Sequence, residues 1–130
     1  MKIYLDTCIC IYIVERHAAY ASVVEAQIAR HVADEMCYSP LVRMECLVKP
    51  YKTNDNTLIQ LYETFLSAHQ MLDLTQPVFD EAAQLRARHA KLKTPDAIHL
   101  AAAQHYGCAE FWTNDNRLDH IAPQLIKRVV

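Results

Sequence analysis

The sequence has 130 residues, 52% of them hydrophobic and 22% charged, and a formal net charge of −2. That balance describes one ordinary globular domain, residues 1–130, with no disordered or low-complexity segment. A single glycine excludes glycine-rich phosphate loops and dinucleotide fingerprints, and the lack of a basic excess leaves any nucleic-acid binding to a local patch or a metal ion. The five cysteines are odd in number and include no C-x-x-C pair, which points to buried, reduced thiols in a cytoplasmic protein and gives zinc little support.

In chain order, "KIYL" (Lys2 to Leu5) reads as a short buried strand, followed by a small helix over Cys8 to Glu15 and a longer one over Ala18 to Ala33. The opening "MKIYLDTCICIYIV" has the outline of a signal peptide. Asp6 interrupts it, however, and the unbroken part is too short to cross a bilayer, so no membrane contact is expected. "MCYS" is a second strand. Ser39 then caps a helix that starts at Pro40 and ends near Val48, with Pro50 as its stop. "DNTLIQLYETFLSAHQ" has helical periodicity, "MLDL" is a third strand, and Thr75 with Pro77 opens the helix "VFDEAAQLRARHAKL". The next helix has Thr94 as cap, Pro95 in its first position and Gly107 as a left-handed close. "AEFWT" is a fourth strand, "NDNRLDHIAP" a turn with a short helix, and "IKRVV" a final strand.

Five short apolar strands separated by helices predict an α/β fold, a mostly parallel five-stranded sheet flanked by helices on both faces. In such sheets the ligand site lies at the carboxyl ends of the strands, where strand order reverses. Asp6 follows the first strand directly, and Asp115 follows "AEFWT" after Asn114. Glu45 interrupts the apolar segment of the helix after the second strand, and Asp96 sits in the first turn of its helix. Each acid has a bland role open to it: Asp6 as a cap, Glu45 as a solvated rim residue, Asp96 as a dipole partner, Asp115 as a turn former. Four carboxylates gathered at one edge would repel one another, and a divalent cation with oxygen ligands would resolve that conflict.

The ordered set "YLDT", Glu45, "TPDAIHLAAA" and "FWTND" resembles the PIN-domain ribonucleases, above all the toxins of bacterial toxin–antitoxin pairs, and the similarity spans essentially the whole chain. The resemblance implies a PIN-like fold and a magnesium- or manganese-dependent endoribonuclease, usually dimeric and neutralised by a small antitoxin. It carries Asp6, Glu45, Asp96 and Asp115 over as the acidic, metal-binding and catalytic set, with Thr113 as a supporting hydroxyl. On this reading Asp6 and Asp96 are direct ligands, Glu45 a water-mediated ligand or proton acceptor, and Asp115 a ligand to the same or a second metal.

The run "LRARHAKLK" places Arg86, Arg88, Lys91 and Lys93 ahead of "TPDA", either as contacts to an RNA backbone or as a solvated helix face. His99, one turn beyond Asp96, is expected to be packed and hydrogen-bonded, and Asp119 to be solvated or in contact with a helix. Apolar "CICIYIV" is either core or an interface to a second copy or an antitoxin. Two rival readings remain: a receiver-like signalling domain, and a catalytically inactive PIN-like module that binds RNA or protein.

Overall fold

Short apolar runs with two buried faces become the inner strands of a parallel sheet. In the computed structural model, which describes residues 1–130, β1 (Lys2–Leu5), β2 (Glu35–Tyr38), β3 (Gln70–Met71), β4 (Glu110–Thr113) and β5 (Ile126–Arg128) form one sheet in the order β3-β2-β1-β4-β5. All neighbouring pairs are parallel, with Tyr4 in register with Cys37 on one side and Phe111 on the other. The helices are α1 (Thr7–Val14), α2 (Ala21–Arg30), α3 (Pro40–Lys52), α4 (Asn56–Ser67), α5 (Gln76–Arg88) and α6 (Thr94–His105). Right-handed crossovers place the helices joining β1 to β2 and β3 on one face, and those returning from β3 to β4 on the other. This order also removes the receiver-like reading. A flavodoxin-type sheet runs 2-1-3-4-5, whereas β3 here is an edge beside β2 and Asp73 lies beyond it.

Since every strand runs the same way, Leu5, Tyr38 and Thr113 end at one edge of the sheet. The chain leaves β1 toward β2 and β3 and returns to β4, so the switch point lies between β1 and β4. The core centres on Ile3, Tyr4, Leu5, Phe111 and Trp112, with Ala97 and Leu100 to Ala103 of α6 buried. Within "CICIYIV", Ile9 and Cys10 are fully buried and Ile11, Tyr12, Ile13 and Val14 pack partly buried on the core, so internal packing accounts for most of the segment.

Several boundaries differ from expectation, each for a local reason. α2 starts three residues later than predicted because the His17 imidazole accepts from the amides of Ala19 (3.1 Å) and Tyr20 (3.2 Å), holding the entry as a turn. α3 runs through Pro50, which is buried in its last turn, and regular bonding resumes at once with Thr53 N–H donating to the Lys49 carbonyl at 3.0 Å. Ser39 stands at the N-cap of α3, but its hydroxyl bonds Tyr4 at 2.8 Å instead of a helix amide. β3 covers Gln70–Met71 in place of "MLDL". α5 ends at Arg88 although its apolar periodicity continues to Leu92; the chain turns there, with Leu92 N–H on the His89 carbonyl at 3.0 Å. The cap of α6 is Lys93, so Thr94 and Pro95 occupy its first two positions.

At the other end of α6, Gly107 has φ +72°, and the amides of Gly107 and Cys108 donate to the carbonyls of Gln104 (3.2 Å) and Ala103 (2.9 Å). This is a Schellman close, and a Cβ added at Gly107 would meet open space, so the cost of a side chain there is backbone strain alone. Gly107→Ala is expected to destabilise the fold by about 1–2 kcal/mol in denaturant titration. An unchanged midpoint would show that the left-handed close contributes nothing.

Candidate active site

The carboxyl end of β1 supplies the first acid. Asp6 is the N-cap of α1: one oxygen accepts from the Thr7 amide at 2.8 Å, and the other accepts from the Thr113 hydroxyl at 2.7 Å. Its role as a cap and its place at the switch point are therefore one arrangement. Thr113, wholly buried at the end of β4, also accepts from the Asp115 amide at 3.0 Å, so a single hydroxyl ties Asp6 to the backbone that carries Asp115.

Glu45 reaches the same edge from the second turn of α3. Its Oε1 accepts from the Thr7 hydroxyl at 2.6 Å and from His99 Nε2 at 2.7 Å. Burial pushes the Glu45 carboxyl up, but the His99 and Thr7 bonds prevail and hold it below its usual range. It is not a solvated rim residue. His99 is buried as expected, and it also touches the site: its Nδ1 meets the Tyr4 hydroxyl at 2.8 Å, and Tyr4 in turn meets Ser39. His99 Nε2 also stands 4.0 Å from Asp6 Oδ1. Ser39, Tyr4, His99, Glu45 and Thr7 thus form one hydrogen-bonded chain running from the core to the site.

Asp96 lies in the first turn of α6. Burial first, then the charges of Asp6 and Asp115, push its carboxyl above the ordinary range, with Arg117 and His99 partly opposing. No hydrogen bond contributes to that balance. Asp115 is in the opposite state. The Arg117 guanidinium takes both of its oxygens, Nε to Oδ1 at 2.9 Å and Nη2 to Oδ2 at 2.6 Å, and holds its carboxyl below the usual range. Asp115 also caps the short 3₁₀ turn Asn116–Leu118 through the Arg117 amide.

The basic run divides. Lys91 and Lys93 line a cleft with Asp96 and Arg117, while Arg86 Nε is spent on the Leu92 carbonyl at 3.0 Å and Arg88 is exposed outside that cleft. Asn114 donates to the Tyr12 hydroxyl at 3.0 Å, Asn116 lines the cleft, and Asp119 is exposed. Cys8 sits 3.9 Å from both Asp6 and Thr113, but burial and then Asp6 push its thiol up to about 11, so it stays protonated. Sequence reasoning missed Thr7, Tyr4 and Arg117. Thr7 alone had a visible signal, as the hydroxyl immediately after Asp6.

No three Asp, Glu, His or Cys side chains form a ready-made metal cage. A magnesium ion does not need one, because it keeps several waters and takes one or two carboxylates directly. The donor set fits such an ion: hard oxygens only, and in Asp96 a carboxylate whose charge is opposed by Asp6 and Asp115.

Fold and site together define a parallel α/β domain whose carboxylates meet at the switch point of its sheet. The family model for the PIN domain matches residues 3–123, and the chain belongs to the PIN-domain family. Among solved structures, the chain is similar to VapBC2 from Rickettsia felis bound to a DNA fragment from its promoter (TM-score 0.84, 18% identity, 98% of each chain covered). It is similar to a toxin–antitoxin complex from Klebsiella pneumoniae (TM-score 0.79, 23% identity, 98% of each chain). VapC20 of Mycobacterium tuberculosis, a toxin that cleaves the sarcin–ricin loop, matches over 91% of this chain and 93% of its own (TM-score 0.74, 15% identity). At these identities the likeness is one of fold. No curated protein sequence matches the chain.

Proposed function

We propose that the protein is a magnesium- or manganese-dependent endoribonuclease acting as the toxin of a toxin–antitoxin pair. The observation that carries this reading is that Asp6 and Asp115 lie near enough to Asp96 on one sheet edge to oppose its charge, with Glu45 joined to the residue after Asp6 through the Thr7 hydroxyl. Asp6 and Asp96 would hold the cation, and Asp115 would join them where Arg117 yields an oxygen. Such an ion, when bound, acidifies a water and offsets charge on a phosphate. Thr113 fixes the rotamer of Asp6, while Thr7 and His99 fix Glu45 as an acceptor for a proton from that water. Lys93 and Arg117 line the cleft beside Asp96 and would draw in a phosphate. Water oxygen would join phosphorus as the bond to the 3′-oxygen breaks and that oxygen takes a proton from solvent, leaving a 5′-phosphate and a 3′-hydroxyl.

Fold neighbours that are toxin–antitoxin complexes support an antitoxin partner. A homodimer is proposed as well, and sedimentation would read it. No helix is long and apolar enough to cross a membrane. The test is cleavage of a single-stranded RNA with magnesium, with manganese and with EDTA, with product ends mapped. Cleavage in metal alone, giving 5′-phosphates and suppressed by a co-purified antitoxin, is the expected result. Undiminished cleavage in EDTA would sink the metal mechanism. Correct folding with no cleavage in either metal would favour the inactive binding module.

A further inference from the structure

Beside the acids lies a cleft of about 540 Å³ between the loop His89 to Lys93 and the turn Asn116 to Ile121, with Asp96 on its wall. Its size suits a small organic ligand, since such sites run from about 300 to 1,000 Å³. Two features of its lining differ in kind. Leu92, Leu118 and Ile121 give it an apolar floor, the first two buried against the core and Ile121 partly open. Lys91, Lys93 and Arg117 give it a cationic rim, the Arg117 charge partly offset by its pair with Asp115, and Asp96 is the single lining acid. Lys93 and Arg117 also lie close enough to the acids for Lys93 to favour the charged form of Asp115 and Arg117 that of Asp96.

We propose that this cleft is a nucleotide subsite, which takes one unpaired nucleotide of the RNA next to the bond that is cut. The proposal rests on the nuclease reading for its substrate. The floor accepts the base, an apolar face that water solvates poorly, and Lys93 with Arg117 meets its phosphate. The His89 and His120 imidazoles line the same cleft and can stack on a base, as protein rings do when a single strand is splayed open. A duplex offers the phosphate without the base, because its bases stay stacked and only its backbone is presented. The cleft therefore selects unpaired RNA by its shape, with no need to read a sequence.

The test is an NMR titration in EDTA with three probes: 5′-AMP, adenosine and inorganic phosphate. AMP is expected to bind roughly tenfold or more tighter than phosphate, since base stacking adds to the ionic contact, and tighter than adenosine, with shifts at Leu92, Leu118 and Ile121. Lys93→Ala should weaken AMP and phosphate alike. Ile121→Asn should weaken AMP several-fold and leave phosphate unchanged. Equal affinity for AMP and phosphate on the wild-type chain would overturn the proposal, whether or not the Ile121 variant folds. So would AMP shifts falling outside the cleft, or an RNA duplex competing as well as a single strand of equal length. Binding is scored without cleavage. An inactive chain that prefers AMP would sink the nuclease and leave the subsite; an active chain without that preference would sink the subsite alone.

Discussion

Asp96→Asn is expected to abolish cleavage, by roughly two powers of ten or more, and at the same time to raise the melting temperature of the protein in EDTA. The loss follows if the carboxylate positions a reacting group, since misplacing one costs about that much. The gain follows from the state of the folded chain. Asp96 is pushed up by burial and by the charges of Asp6 and Asp115, so its ionised form is disfavoured on folding. A carboxyl with a raised folded pKa causes stability to fall as pH rises from its unfolded value, about 3.9, through its folded one, and the penalty is complete above both. At pH 7 the asparagine removes it, for a gain on the order of 0.5–2 kcal/mol. Below pH 3.9 the two proteins should melt nearly together. A variant that melts lower than wild type at pH 7 would overturn the charge conflict at Asp96, and one that also cleaves normally would leave it a stabiliser of its helix.

The second large effect concerns His99, whose hydrogen bond to the acidic set goes to Glu45. His99→Leu keeps the volume of the side chain largely filled and removes the bond to Glu45 Oε1. Loss of such a supporting partner typically costs about 10–100-fold in metal affinity or activity. The pH profile separates this from simple damage. Glu45 is held low because the His99 and Thr7 bonds outweigh burial, so its charged form is available down to an acidic pH and is lost as pH falls through the depressed value. With His99 gone, burial is opposed by Thr7 alone, and the acidic limb of the rate profile should move to higher pH. Tyr4→Phe, which removes the hydroxyl behind His99, should move it in the same direction by less. Activity within about twofold of wild type and an unmoved limb would mean that His99 serves the core only.

The sequence showed the acids better than their company. Asp6 and Asp115 were legible because each follows an apolar strand, and in an all-parallel sheet the ends of strands share an edge. Asp96 was legible as an acid opening a helix of otherwise small and apolar residues, and Glu45 as a break in an apolar stretch. What the pattern did not carry was which partner each polar group would find across elements. Ser39 looks like a helix cap and bonds Tyr4 instead; Arg117 looks like a surface turn residue and holds both oxygens of Asp115. These pairings depend on how α1, α3 and α6 pack over the sheet edge. Local signals also misled wherever a side chain outside the usual capping set took the amides, as His17 does ahead of α2.

The central claim is that these carboxylates share one site for a divalent cation. It is tested most directly by thermal melting of wild type, Asp6→Asn and Asp96→Asn, at one pH near 7, across a magnesium series. A ligand that binds only the folded state stabilises it by about 2.7 kcal/mol at one hundred times its dissociation constant. The account predicts that the wild-type midpoint climbs with magnesium while both variants respond far less. Equal shifts in all three proteins, or none in wild type, would contradict it.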